Sequence, residues 1–187
     1  MNKIIKLFVL CSLWGFGFAS FADERSSLYS LKTKWQNQNA KEVQLKKFEG
    51  SFVILSMVYT SCPHTCPLTI SKIEAIKKRF FEAGVKDVKY VLASFDVEND
   101  TPEHLKKYMK KRKMNEKEWV FLSPKNEAAV RELSVVLGIS YKKIGNGDFS
   151  HSNIVTLLDK KGAPIANIKS LSEDIDIFLK TIKGSNL

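Results

Sequence analysis

Phe52-Val53-Ile54-Leu55-Ser56-Met57-Val58-Tyr59-Thr60-Ser61-Cys62-Pro63-His64-Thr65-Cys66-Pro67 is the stretch on which the reading of this chain turns. Its first eight residues are a nearly continuous apolar run, rich in β-branched and aromatic side chains, as in a strand buried on both faces. Its last six residues hold two cysteines four positions apart, each followed by proline. Proline biases the residue before it away from helical angles. An extended turn is therefore expected from Cys62, with the regular helix starting at Pro67 and Cys66 near its N-cap. Beyond Pro67, the apolar residues Ile70, Ile73, Ile76 and Phe80 recur at helical spacing until Gly84, which suits a C-terminal cap. A buried strand that turns into a helix is where α/β folds place their sites.

Working outward, residues 90–95 (Tyr-Val-Leu-Ala-Ser-Phe) read as a second buried strand ending at Asp96. Thr101-Pro102-Glu103 combines an N-cap, a proline at the first helical position and an acid in the first turn, so a helix starts there with Leu105, Tyr108 and Met109 as its apolar stripe. Residues 119–122 give a third strand. Ser123-Pro124 predicts a helix that runs to about Leu137 and is closed by Gly138. Residues 154–158 and 164–168 read as two strands around the turn Asp159-Lys160-Lys161-Gly162. Ser172 is expected to cap a last helix on which Ile175, Phe178, Leu179 and Ile182 form the apolar face. Strands alternating with helices and finishing on a hairpin indicate an α/β sandwich around a mixed central sheet.

The chain has 187 residues, 44% of them hydrophobic and 27% charged, which excludes wholesale disorder and favours one domain of ordinary size. Residues 1–22 read as an export signal: Lys3 and Lys6, an apolar run, then Ser20-Phe21-Ala22 with small residues where cleavage before Asp23 needs them. The expected mature domain is residues 23–187 in the periplasm. An uncleaved leader would instead anchor it to the inner membrane, facing the periplasm. Losing Lys3 and Lys6 lowers the formal net charge only from +10 to +8, so the basic balance belongs to the domain. Lysines concentrate at Lys106-Lys107 and Lys110-Lys111-Arg112-Lys113, either as a solvated helix face or as a surface that steers toward an acidic partner or a membrane. Nucleic acid is disfavoured, since aromatic and basic residues do not interleave as base-stacking surfaces require. The chain is expected to act as a monomer.

Of three cysteines, Cys11 lies in the expected leader, so the domain keeps only Cys62 and Cys66. Outside the cytosol such a pair can form a disulfide, either an inert tie between strand and helix or a redox couple. A helix N-terminus favours thiolate over thiol. Cys66 shares a face with Ile70 and Ile73, so it should be the more buried sulfur and Cys62 the more exposed: in exchange chemistry Cys62 attacks and Cys66 resolves. A closed zinc site needs four ligands, a demanding count for two cysteines and three histidines. Copper(I) accepts fewer, softer ligands. His104 reads as a surface residue in a helix's first turn, and His151 as either a core histidine or a ligand at the entry to a buried strand. His64, between the cysteines, is open to three readings: a third ligand, a cation acidifying the thiols, or a solvated turn residue. Asp96, Glu98 and Asp100 have the spacing of a calcium loop, but the required glycine is missing and Lys107 stands at its twelfth position.

From about Leu28 to Lys183 the sequence resembles the Sco/SenC family, thioredoxin-like proteins that bind copper and serve the assembly of cytochrome c oxidase. The resemblance is carried by residues 59–67 (YTSCPHTCP), by residues 94–102 (SFDVENDTP), and by His151 ahead of Leu157-Leu158-Asp159 and Gly162. It implies a thioredoxin-like sandwich in which Cys62, Cys66 and His151 bind one copper ion, as Cu(I) or Cu(II). It also implies, as partner, a cytochrome c oxidase subunit or another periplasmic cuproprotein. Family members usually carry an acid where His64 stands, a difference that removes a negative group beside the site and adds a possible nitrogen ligand, and a proline where Val97 stands, a difference that alters only the loop after Asp96; His64 and Asp96 are the accessory candidates. Two functions follow: a metallochaperone delivering copper, or a thiol-disulfide oxidoreductase acting on a copper acceptor's cysteines.

Overall fold

The computed structural model describes residues 27–184, so the expected leader with Cys11 lies outside the described residues. β1 (Trp35–Asn37) and β2 (Glu42–Val43) form a short hairpin. β3 (Phe52–Val58), α1 (Thr65–Glu82), β4 (Val88–Ser94), α2 (Pro102–Lys111) and β5 (Trp119–Ser123) then alternate. They are followed by α3 (Glu127–Leu137), the ribbon strands β6 (Tyr141–Lys143) and β7 (Phe149–His151), β8 (Val155–Leu158), β9 (Pro164–Ile168) and α4 (Asp176–Gly184). The seven-stranded sheet has the order β2-β1-β5-β4-β3-β8-β9; β6 and β7 pair by themselves. β3, β4 and β5 are parallel, while β1 and β8 run antiparallel on either side of them. This is the expected α/β sandwich with a central mixed sheet.

Every residue of β3 is buried, as its nearly unbroken apolar pattern requires of a strand with both faces covered. Its one polar side chain, Ser56, donates to the Ile154 carbonyl at 2.7 Å, so no hydroxyl is stranded in the core. The inner face of α1 carries Cys66, Ile70, Ile73, Ile76 and Phe80, all buried. α1 packs on α4, whose Phe178 and Leu179 are buried beside it. Gly138 closes α3 at φ +66, a conformation that side chains with a Cβ adopt at a cost.

Three expected helix starts shift. α1 begins at Thr65, not Pro67, because proline in the first turn lacks only an N–H that would have no partner within the helix. Ser123 stays in β5 and donates to the Asp100 carbonyl at 2.7 Å; Asn126 caps α3 by accepting from the Ala129 N–H. The Ser172 N–H and hydroxyl meet the Ser170 hydroxyl, and α4 begins only at Asp176, whose N–H is accepted by Asp174. The hairpin β1–β2 and the ribbon β6–β7 have no counterpart in the sequence reading. Among the described residues no helix is long and apolar enough to cross a membrane.

Candidate metal centre

β3 delivers Cys62 to the edge of the core. After Tyr59 the chain turns, with the Cys62 N–H on the Tyr59 carbonyl at 3.4 Å, and the sulfur swings back over the first turn of α1. Sγ of Cys62 accepts the Cys66 N–H at 3.4 Å and lies 3.7 Å from the Thr65 hydroxyl. His64 holds the N-cap position but its side chain makes no cap bond, so the Cys62 sulfur takes over that role. Cys66 sits one residue into the helix, on its buried face.

The ribbon β6–β7 brings the third group. His151 ends β7, with its ring 4.9 Å from Phe95 and 5.8 Å from Tyr59, centre to centre. Phe149 joins Tyr59 and Phe95 to complete an aromatic wall. Nδ1 of His151 lies 3.2 Å from the Ser152 carbonyl, which can only accept, so the hydrogen of the neutral ring is on Nδ1. Nε2 is then left with its lone pair, 3.6 Å from Sγ of Cys66 and 3.4 Å from the Thr65 hydroxyl. A backbone carbonyl behind the ring is the arrangement that orients metal-binding histidines.

Sγ of Cys62, Sγ of Cys66 and a ring nitrogen of His151 all lie within 4.8 Å of one another. Small side-chain rotations would let one ion reach all three, and two thiolates with one imidazole is a donor set that suits copper. His64 is exposed and outside this trio. Asp96 is outside it as well: its carboxylate accepts the N–H groups of Glu98 and Asn99 and the Asn99 side-chain amide, so it serves its own loop. His104 lies on the exposed surface of α2, as read from sequence.

The two thiols differ in acidity. Burial works against ionising Cys62, but the N–H groups of Cys66 and His64 and the hydroxyls of Tyr59 and Thr65 outweigh it and bring its pKa down to about 6. Burial pushes the Cys66 thiol up, reinforced by the neighbouring Cys62. At neutral pH the reduced, metal-free protein therefore carries one thiolate, on the less buried sulfur. Alkylation by iodoacetamide should modify one thiol per chain first, with a rate that rises with pH and is half-maximal at about pH 6 instead of the roughly 8.5 of a free cysteine. Equal rates for both thiols would contradict this assignment.

Thr65, Phe95, Phe149 and the Ser152 carbonyl are components of the site that the sequence reading does not single out. The signal available is the aromatic residue ending each of the two buried strands, Tyr59 and Phe95, beside a histidine flanked by Phe149.

The SCO1/SenC family model matches residues 25–185. A SCO1 protein homolog of Bacillus subtilis is 27% identical over 101 residues, covering 54% of this chain and 52% of the relative, so the match spans about half of that protein's length. Among solved structures, copper-bound ScoI of Arabidopsis thaliana superposes with a TM-score of 0.72 at 22% identity, covering 81% of this chain and 96% of that one. BsSco, described as a Sco-family cytochrome c oxidase assembly protein with a disulfide switch, gives 0.72 at 21% identity, covering 86% and 94%. With the family model running from before the first described residue to the end of α4, and the fold repeated in its solved members, the chain belongs to the SCO1/SenC family.

Proposed function

We propose that this protein is a periplasmic copper carrier that holds one copper ion on Cys62, Cys66 and His151 and passes it to an acceptor cuproprotein. The observation that carries this reading is the convergence of two sulfurs and an imidazole nitrogen within 4.8 Å, drawn from two separate segments of the chain. Copper in this account is cargo, taken up and released by ligand exchange. Cytochrome c oxidase is the acceptor favoured by the description of BsSco as one of its assembly proteins, and copper is favoured by the copper-bound plant neighbour. The leader read in residues 1–22 supports work in the periplasm.

A second reading has its own support. A less buried Cys62 with lowered pKa beside a buried Cys66 with raised pKa is the asymmetry expected of an attacking and a resolving thiol. The protein would then reduce or oxidise the cysteines of a copper acceptor. Anaerobic titration of the reduced protein with Cu(I) separates the two. The carrier should take up one equivalent per chain, and Cys62→Ser and Cys66→Ser should each abolish tight uptake. Thiols that titrate fully with a disulfide reagent but retain no copper would leave only the redox role.

A further inference from the structure

Beside Cys62 a groove of about 680 Å³ separates the start of α1 from α2. One wall is made by residues 60–62 and Pro67, the other by His104, Lys107, Tyr108, Lys111 and Arg112. The residues of the second wall, spaced i, i+3, i+4, i+7 and i+8, share one face of α2 and its C-cap Arg112, adjacent to the face that buries Leu105 and Met109. None of the lining residues is acidic. Lys107 has an exposed i,i+4 contact with Glu103 at 2.8 Å, a pair that solvent weakens and a competing carboxylate can displace. Among the described residues Lys106, Lys110, Lys111 and Lys113 form no ion pair, whereas their neighbour Lys107 does. The Arg112 guanidinium lies 5.2 Å over the Tyr108 ring, which holds its flat fork at the groove.

From these observations we infer that the groove is a docking site for an acidic segment of the partner protein, whose carboxylates lie on Lys107, Lys111 and Arg112 so that its thiol or thiolate meets Cys62. The shape favours an extended chain segment: a flat bilayer surface covers a groove without entering it, whereas a peptide can lie along α2. The cations act in two ways. At a distance they steer a negatively charged partner and raise its rate of encounter; in contact, Arg112 and the two lysines fix which partner residue faces the sulfur. The inference deepens the proposed function by giving the acceptor a chemistry, and it holds for copper transfer and thiol exchange alike.

Its test needs no copper, so its failure is distinguishable from that of the copper reading. In the full-length chain carrying Cys11→Ser and Cys66→Ser, which leaves Cys62 as its one thiol, Cys62 is offered short cysteine peptides activated as 2-thiopyridyl disulfides. The Cys62 thiolate attacks the peptide sulfur, a peptide-protein disulfide forms, and pyridine-2-thiolate leaves, takes up a proton and is followed by its absorbance. A peptide flanked by glutamates and aspartates should react at least about five-fold faster than its glutamine and asparagine counterpart at low ionic strength, an advantage that should vanish in about 0.5 M salt. Adding Lys107→Glu and Lys111→Glu together should remove the preference, whereas Lys46→Glu with Lys47→Glu, an equal charge change on the exposed turn ahead of β3, should keep it. Equal rates for the two peptides would overturn the proposal. So would a preference that survives the groove reversal, or a reversal that abolishes binding to phosphatidylglycerol vesicles while the peptide preference stands, which would assign these cations to a membrane.

Discussion

Changing His151 to alanine is expected to weaken Cu(I) binding by at least about 100-fold while shifting the stability of the copper-free protein by only about 1 kcal/mol. The first figure follows from the geometry of the trio. Removing a group that merely orients a ligand already weakens metal sites by about 10- to 100-fold, and in the proposed site His151 is itself a ligand, its Nε2 freed by the Ser152 carbonyl. The second follows from its place in the fold. His151 is half-buried on the β6–β7 ribbon, outside the seven-stranded sheet, and its ring contacts are with the aromatic wall of Phe95 and Tyr59. Such ring contacts are worth about 0.5–1.5 kcal/mol each and relax when one partner is small. His104→Ala serves as the control, because it removes an imidazole from the exposed surface of α2 and should change neither quantity. Competition with a chromophoric Cu(I) chelator and urea unfolding supply the two readouts. Unchanged affinity would reduce the site to a two-sulfur centre, and a stability loss of several kcal/mol would make His151 a structural residue.

The parts of this protein legible in its sequence are those whose physics is local. A strand buried on both faces must be apolar throughout, so β3 and β4 are visible as runs. Helices with one buried stripe show it at i, i+3 and i+4, so α1 and α4 are visible as periods. Their starts are less visible because several polar residues compete for each cap: Asn126 prevails over Ser123 only because the Ser123 hydroxyl is claimed by the Asp100 carbonyl on another loop. The hairpin β1–β2 is nearly illegible for a related reason. Its residues are largely polar, and it exists because β1 pairs with β5 while the buried Gln38 side chain accepts the Phe121 N–H. At the site, both cysteines announce themselves by spacing, but the approach of His151 depends on a three-residue ribbon strand and on aromatic contacts between segments more than 50 residues apart. Family resemblance singles out that candidate where spacing alone does not. Asp96 illustrates the converse: a carboxylate next to the motif reads as available, yet three local donors already occupy it.

Asp100 should be the most damaging polar position to truncate, and the chemistry of its replacement decides the outcome. It is buried, and its carboxylate accepts the Ser94 hydroxyl at 2.5 Å, the Thr60 N–H at 3.0 Å and the Thr60 hydroxyl, while its own carbonyl accepts from Ser123. Those donors lie at the carboxyl ends of the parallel strands β3, β4 and β5, so one residue ties together the rim from which Cys62 projects. Asp100→Ala leaves the Thr60 N–H and two hydroxyls without their acceptor, and a stability loss of about 2–4 kcal/mol is expected. Asp100→Asn is predicted to be nearly neutral where Asp100 is protonated, because an amide oxygen can still accept from Ser94 and the Thr60 N–H, and the Thr60 hydroxyl can turn to accept from the amide. The pair also carries a pH signature. Burial raises the Asp100 pKa above the ordinary carboxylate range, with Asp96 adding to the rise against the opposing hydrogen bonds. The folded protein therefore holds this proton more firmly than the unfolded chain does. That contribution to stability is present in full below the unfolded value of about 3.9 and is lost as pH rises through the folded value. The stability of the Asp100→Asn variant minus that of the unsubstituted protein should accordingly increase with pH from about 4 and then level off, the other titrating groups cancelling between two isosteric proteins. A difference that shrinks over this range would mean that the hydrogen bonds to Thr60 and Ser94 stabilise the charged carboxylate by more than burial penalises it.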